Sequence, residues 1–332
     1  MQTSASRLRK AVRKIDYGIE RVLMLDLGGL VARHCSPVTV RRTAVAIGWL
    51  LWLLPWNRAV REHFRTAFPD ERSSPAKVTR EWMALPYRDY MLITARRAGR
   101  AGFLPVEARH EMSPAVQELF DSGDSVLIAM CHLSREALLV LFQPGVLPWR
   151  MLPVVAELPD DLGTNRRTRA RAQFAGLLDV ALVLRADTVL SRRGSTTTAR
   201  ELVERSKEPG WALNLHIDAT PPKRADGWFE RPFASESSRR FATGTARLAR
   251  LTHIPTAMAL PDIEPDGSVV VLWSDPITPP DRRDRASDVP FMSALLDDAE
   301  RAVGRWPGQY TLPFRPDRRW DPELEIWIDI DG

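Results

Sequence analysis

The chain of 332 residues has two cysteines, Cys35 and Cys131. Two thiols supply neither a disulfide framework nor a metal-binding cysteine pattern, and they suit a reducing compartment. Lysine is also scarce. Lys10, Lys14, Lys77, Lys207 and Lys223 are all there are, so arginine carries almost all the positive charge. There is no Gly-x-Gly-x-x-Gly fingerprint and no P-loop lysine, which removes the commonest nucleotide-binding devices. No internal repeat or low-complexity tract is present, and no apolar run reaches the ~20 residues that span a bilayer. The basic run Arg166-Arg-Thr-Arg-Ala-Arg171 lacks interleaved aromatics and reads as a solvated face, so no nucleic-acid partner is expected.

What remains is a globular composition, 44% hydrophobic, with a formal net charge of +5. That excess favours an anionic partner such as a membrane surface or an acidic ligand. Arginine forks suit phosphate and carboxylate, although a coding bias toward arginine gives the same count. The basic start (Arg7, Arg9, Lys10, Arg13, Lys14) is followed by Asp16, Glu20, Arg21 and Asp26, so no cleaved signal is expected. Ala44 to Leu54, AVAIGWLLWLL, is the longest candidate for lipid contact. As a helix it covers roughly 16 Å, half of a ~30 Å hydrocarbon core. Arg41, Arg42, Arg58 and Arg61 flank it, and Trp49, Trp52 and Trp56 lie in or beside it. Two readings fit: a helix lying at the cytoplasmic leaflet, or a helix buried against the domain.

Strand-like apolar runs at 125–131, 150–156, 180–184, 211–217, 255–260 and 268–273 alternate with helical patterns at 135–143, 165–178, 196–206, 243–252 and 290–305. That alternation predicts an α/β fold with a mostly parallel central sheet flanked by helices. The stretch 221–241 reads as a long polar loop. The expected organisation is an N-terminal membrane-associating helical segment, 1–68, followed by one α/β domain, 69–332.

Some motifs fail on context. Gly123-Asp-Ser-Val-Leu127 resembles a GDSL hydrolase block, but Ser125 opens a strand and no late Asp-x-x-His follows. His216-Ile-Asp218 offers two metal ligands with no third nearby in sequence, so no metal is expected. Others hold. In LIAMCHLSREALLVL, residues 127 to 141, an apolar strand ends on His132 and a helix begins shortly after. His63-Phe-Arg-Thr-Ala-Phe-Pro69, the strand ending at His132, Val155-Ala-Glu-Leu158, Leu215-His-Ile-Asp218, Pro232-Phe233, Thr243-Gly-Thr-Ala-Arg-Leu-Ala249 and Trp306-Pro-Gly-Gln-Tyr310 occur in that order. Together they resemble the lysophospholipid acyltransferases of the lipid A lauroyl/myristoyl type, which include the phosphatidylinositol mannoside acyltransferases. The resemblance covers roughly 40 to 320. It implies a glycerolipid acyltransferase-like fold and transfer of a fatty acyl chain from acyl-CoA or acyl carrier protein to a hydroxyl of a glycolipid or lysophospholipid. No cofactor is implied. The partners are the acyl donor, a membrane lipid or glycolipid acceptor and an anionic membrane surface, at the cytoplasmic face of the plasma membrane.

The chain departs from that pattern at several points: His63 stands where the family has asparagine, Pro313-Phe-Arg-Pro316 replaces the His-Arg-Arg block after the C-terminal tyrosine, and the acid partner of the histidine is displaced. The acid that should stand five residues after the histidine is Ala137, with Glu136 one place early. A catalytically degenerate, lipid-binding relative is therefore the alternative reading.

Acyl transfer to an alcohol needs a base for the hydroxyl proton, and a neutral imidazole suits that task. His132 is the expected base. Two carboxylates compete to orient it: Glu157, which the resemblance favours, and Glu136, four residues on. Arg171, Asp218, Ser134 and Arg135 are the expected substrate contacts. Cys131 should point to the opposite strand face and belong to the core.

Overall fold

A central sheet and the helices that cover it build the architecture, which a computed structural model describes for residues 22–69, 74–100, 102–103, 108–143, 145–156, 189–191, 197–221, 227–264, 268–281, 284–312 and 315–330. A π-helical turn, Val22–Gly28, leads into α1, Gly29–His34. The next helix, α2 (Pro37–Leu53), starts on Ser36, whose hydroxyl accepts the Thr39 N–H at 3.2 Å. Proline at the first helical position adds its fixed φ, and such a cap is worth about 1 kcal/mol. Two further helices follow, α3 (Arg58–Ala67) and α4 (Pro75–Arg97).

Val40, Ala44, Ile47 and Leu51 on α2 form one buried cluster with Met83, Tyr87, Met91 and Leu92 on α4. The helices approach closely at Gly48, where a Cβ would lie 2.5 Å from the Arg80 carbonyl oxygen. This cluster therefore extends past residue 68 into α4. The opposite side of α2 leaves Val38, Val45, Trp49, Leu50 and Leu53 exposed. Among the described residues no single helix is long and apolar enough to cross a membrane.

Beyond the helical cluster come β1 (Ala108–Glu111), α5 (Pro114–Ser122), β2 (Val126–Met130), α6 (Arg135–Leu141), β3 (Arg150–Ala156), β4 (Val189–Ser191), α7 (Thr197–Arg205) and β5 (Trp211–His216). The chain continues through β6 (Trp228–Phe233), β7 (Glu236–Ala242), α8 (Gly244–Thr252), β8 (Thr256–Ile263), β9 (Val269–Trp273), α9 (Asp288–Arg305), β10 (Arg318–Asp321) and β11 (Ile326–Asp329). Seven strands form one sheet in the order β1-β9-β8-β2-β5-β3-β4. From β8 to β4 all neighbours are parallel, while β9 runs antiparallel to β8 and β1 pairs parallel with β9. The expected mostly parallel sheet flanked by helices is what forms.

Every residue of β2 is buried. Leu127, Ala129 and Cys131 join the core containing Leu248 of α8 and Leu295 of α9, whereas Val126, Ile128 and Met130 join the core containing Leu139 and Leu141 of α6. A central parallel strand covered on both faces requires this continuous apolar run.

The stretch read as a long polar loop is instead largely a hairpin. β6 and β7 pair antiparallel, closing at Phe233 opposite Glu236. Phe229, Phe233 and Phe241 pack inward, whereas Trp228, Glu230 and Pro232 face water. The turn was not legible because Ala234, at φ 47°, takes a left-handed conformation usually given to Gly or Asn. β1, β4, β10 and β11 were also not anticipated; each has three or four residues, too few for a periodicity to register. The expected helix at 165–178 and strand at 180–184 lie outside the described residues.

Candidate active site

The parallel pairing of β2 and β5 sets Met130 opposite His216. Ile217 N–H donates to the Met130 carbonyl at 2.9 Å, which carries the ladder one step past the strands. Cys131-His132 and Ile217-Asp218 thus leave the sheet side by side at its C-terminal edge, where α/β proteins place their sites.

Asp218 is fully buried and grips His132 twice. Oδ2 accepts the His132 backbone N–H at 2.9 Å, and Oδ1 lies 2.6 Å from the ring Nδ1. The His132 carbonyl is fixed from the other side, accepting from Thr311 N–H at 2.7 Å and Thr311 Oγ1 at 2.9 Å. Thr311 directly follows the Trp306-Pro-Gly-Gln-Tyr310 block, so this C-terminal segment clamps His132. Burial alone would push the Asp218 carboxyl up. The charge and hydrogen bonds of His132 and the charge of His216 outweigh it, holding the carboxyl at about 2. An ionised carboxylate at Nδ1 keeps the proton there and leaves the Nε2 lone pair as the acceptor.

Arg239, on β7, supports the same corner. One guanidinium nitrogen donates to the Tyr310 hydroxyl and another to the Asp218 carbonyl, both at 2.9 Å. Burial, reinforced by the Asp218 charge, raises the Tyr310 hydroxyl well above its ordinary range, so that hydroxyl stays protonated. Burial likewise raises the Cys131 thiol, with Asp218 again adding to the effect. Cys131 is thus an inert core residue, as the strand alternation implied.

His132 keeps 28% of its side chain exposed and lines a cavity of about 560 Å³. Ala219, Thr220, Glu230, Glu236, Arg239 and Arg315 contribute to the wall. Eight of the ten residues lining it are polar or charged, with both signs of charge, and Ala219 and Leu312 are the two apolar ones.

The expected site residues separate into groups. His132 and Asp218 come together, and the carboxylate on the imidazole is Asp218 rather than Glu136. Glu136 is buried and paired with two arginines, Arg41 Nη2 at 2.9 Å and Arg88 Nε at 3.2 Å. The reason is local: α6 begins at Arg135, so Glu136 sits in its first turn and turns toward α2 and α4. Ser134 is fully buried, caps α6 by accepting the Ala137 N–H at 3.4 Å, and accepts from Arg88 Nη2 at 3.0 Å. Its hydroxyl is committed to structure instead of facing a substrate. Arg135 occupies the first position of α6. Glu157 and Arg171 lie outside the described residues.

Sequence reasoning missed His216. Its ring lies against that of His132 in a tilted arrangement, with centroids 4.3 Å apart and planes at 36°. The expectation that His216 and Asp218 have no third ligand nearby is overturned: donor atoms of His132, His216 and Asp218 all lie within 4.8 Å of one another. The His-Ile-Asp spacing was visible, but the register of β5 against β2 was not. Arg239 and Thr311 were missed for the same reason, since both meet His132 and Asp218 only through long-range packing.

No protein-family model matches the chain, and no curated protein matches it.

Proposed function

We propose that the protein is a membrane-associated acyltransferase resembling the lysophospholipid acyltransferases of the lipid A lauroyl/myristoyl type. It moves a fatty acyl chain from acyl-CoA or acyl carrier protein to a hydroxyl of a glycolipid or lysophospholipid. The observation that carries this reading is the His132–Asp218 pair, 2.6 Å apart at the C-terminal sheet edge and open to a polar cavity.

The chemistry follows from that pair. The acceptor hydroxyl enters the cavity and gives its proton to His132 Nε2 as its oxygen attacks the thioester carbonyl. The imidazolium that forms is stabilised by the ionised Asp218 on Nδ1. Collapse of the tetrahedral intermediate breaks the carbon–sulfur bond, and the departing thiolate takes the proton from Nε2. The ester and the free thiol leave, and His132 is neutral again. No covalent enzyme intermediate is needed, in keeping with a buried, inert Cys131.

Membrane association rests on α2. Val45, Trp49, Leu50 and Leu53 form an apolar strip on a helix of 17 residues, about 26 Å long. Such a strip suits the interface between headgroups and acyl chains. Arg61 is not free for lipid headgroups, because it donates to the Trp52 and Leu54 carbonyls, and Arg41 is tied to Glu136. The cytoplasmic face of the plasma membrane is the side on which acyl-CoA and acyl carrier protein are found.

The test is acyl transfer from radiolabelled palmitoyl-CoA to glycolipid and lysophospholipid acceptors in vesicles, comparing wild type with His132→Ala. General base catalysis contributes roughly 10²- to 10⁴-fold, so a loss of that size is expected. Equal background turnover from both proteins would overturn the proposal in favour of a lipid-binding relative without catalysis.

A further inference from the structure

The cluster at the end of β2 and β5 has a second capacity. His132 and His216 offer imidazole nitrogens and Asp218 a carboxylate oxygen, three donors from two adjacent parallel strands. We propose that these residues form a binding site for a borderline divalent cation, Zn²⁺ above all, and that its occupation switches the base off. The regulatory half of this inference rests on the function proposed above; the binding half does not.

The donor set selects the metal class. Two imidazoles and one carboxylate suit Zn²⁺, while Mg²⁺ and Ca²⁺ prefer all-oxygen shells. Three protein ligands with an open fourth position are a common zinc arrangement. Here the open side is the cavity that His132 lines. Zinc bonds of about 2.0–2.2 Å put tetrahedral donors roughly 3.3 Å apart, so donors spread over 4.8 Å or less must close in by an ångström or so. Thr311 and Arg239 hold the main chain at His132 and Asp218, so this closing motion falls to the side-chain torsions of the three ligands. Asp218 is fully buried and is the carboxylate of this donor group.

Inhibition follows from the imidazole. A neutral ring has one nitrogen lone pair available at a time. If Zn²⁺ takes Nε2, the acceptor for the hydroxyl proton is occupied. If Zn²⁺ takes Nδ1, the ring proton moves to Nε2 and the acceptor is lost again. Either way the metal and the alcohol proton compete for one site.

The full-length protein is stripped with EDTA, desalted and titrated with Zn²⁺ by calorimetry and with Co²⁺ by visible absorption, in the absence of any substrate. One Zn²⁺ per chain and an intense tetrahedral Co²⁺ spectrum are expected. His132→Gln, His216→Gln and Asp218→Asn should each weaken binding at least about tenfold. His34→Gln and His63→Gln, on exposed histidines, should leave it unchanged. Circular dichroism checks that each variant is folded, and two folded variants of the three suffice for the comparison. No binding, or binding unaltered in the site variants, overturns the inference. In a separate acyl-transfer assay, Zn²⁺ should lower the rate over the concentration range in which it binds, and EDTA should restore it. Zinc bound without inhibition of measurable turnover overturns the switch. Binding with no acyl transfer under any condition overturns the proposed function and leaves the metal site standing.

Discussion

Asp218 holds both the backbone N–H and the ring nitrogen of His132, at 2.9 and 2.6 Å, although 86 residues separate them in the chain. In the proposed acyltransferase, Asp218 would take the place of the acid absent at position 137. Asp218→Asn should therefore cost acyl transfer at least about tenfold more than Glu136→Gln, because an amide can present the wrong hydrogen-bonding group to Nδ1. Steady-state rates of the two variants check this; equal losses would return the orienting role to Glu136.

The same pair has a pH signature. The folded Asp218 carboxyl sits at about 2, below its ordinary 3.8. Its stabilising contribution is thus complete above about pH 4 and is lost as pH falls toward 2. A shift of this size corresponds to roughly 2–3 kcal/mol. Acid unfolding of Asp218→Asn should lack this step, so the stability gap between the variant and wild type should narrow between about pH 4 and 2.

Asp262, at the end of β8, behaves in the opposite way. Burial pushes its carboxyl up to about 7, with Glu264 and Glu81 adding to the rise and the Ile263 N–H and Arg88 opposing it. The folded pKa exceeds the unfolded one, so stability falls as pH rises from about 4 to about 7 and is level above that. The loss can reach roughly 4 kcal/mol. Asp262→Asn should flatten this dependence and be the more stable protein near pH 8. Urea unfolding of both proteins at about pH 5 and 8 measures the difference. An unchanged slope would show that Asp262 is ionised in the fold.

The Arg41–Glu136–Arg88 network joins α2 and α4 to the helix that follows His132. Removing one partner of a buried carboxylate is more damaging than the pair's net worth, because the remaining charge is left poorly compensated. Arg88→Ala also strips a donor from Ser134. A loss of about 2–3 kcal/mol is expected, less than for a wholly enclosed pair because Arg41 remains. Thermal or urea unfolding reads it directly.

Gly304 on α9 has no room for a side chain: a Cβ would sit 2.3 Å from the Trp320 ring, which packs against Trp327. Alanine gains about 1 kcal/mol of helix propensity over glycine, but overpacking a buried indole costs about 1–3 kcal/mol. Gly304→Ala should therefore destabilise the protein and loosen the β10–β11 hairpin. A rise in unfolding midpoint would show that Trp320 moves aside freely.

The sequence by itself determined the class of fold, the helices near 135–143, 243–252 and 290–305, and the place of His132 at a strand end. Each is set by a local signal: apolar residues at helical spacing make a covering helix, an unbroken apolar run makes a central strand, and a polar residue at its end must leave the sheet. Tertiary structure alone decided which carboxylate meets the imidazole. Glu136 is near His132 in sequence but is turned away by the helix it begins and drawn to Arg41 and Arg88. Asp218 is distant in sequence but is carried in by the parallel register of β5 on β2. His216, Arg239 and Thr311 reach the site in the same long-range way. Local pattern fixes what each segment becomes, whereas strand order and register fix which segment ends are neighbours, and no short window of sequence encodes that.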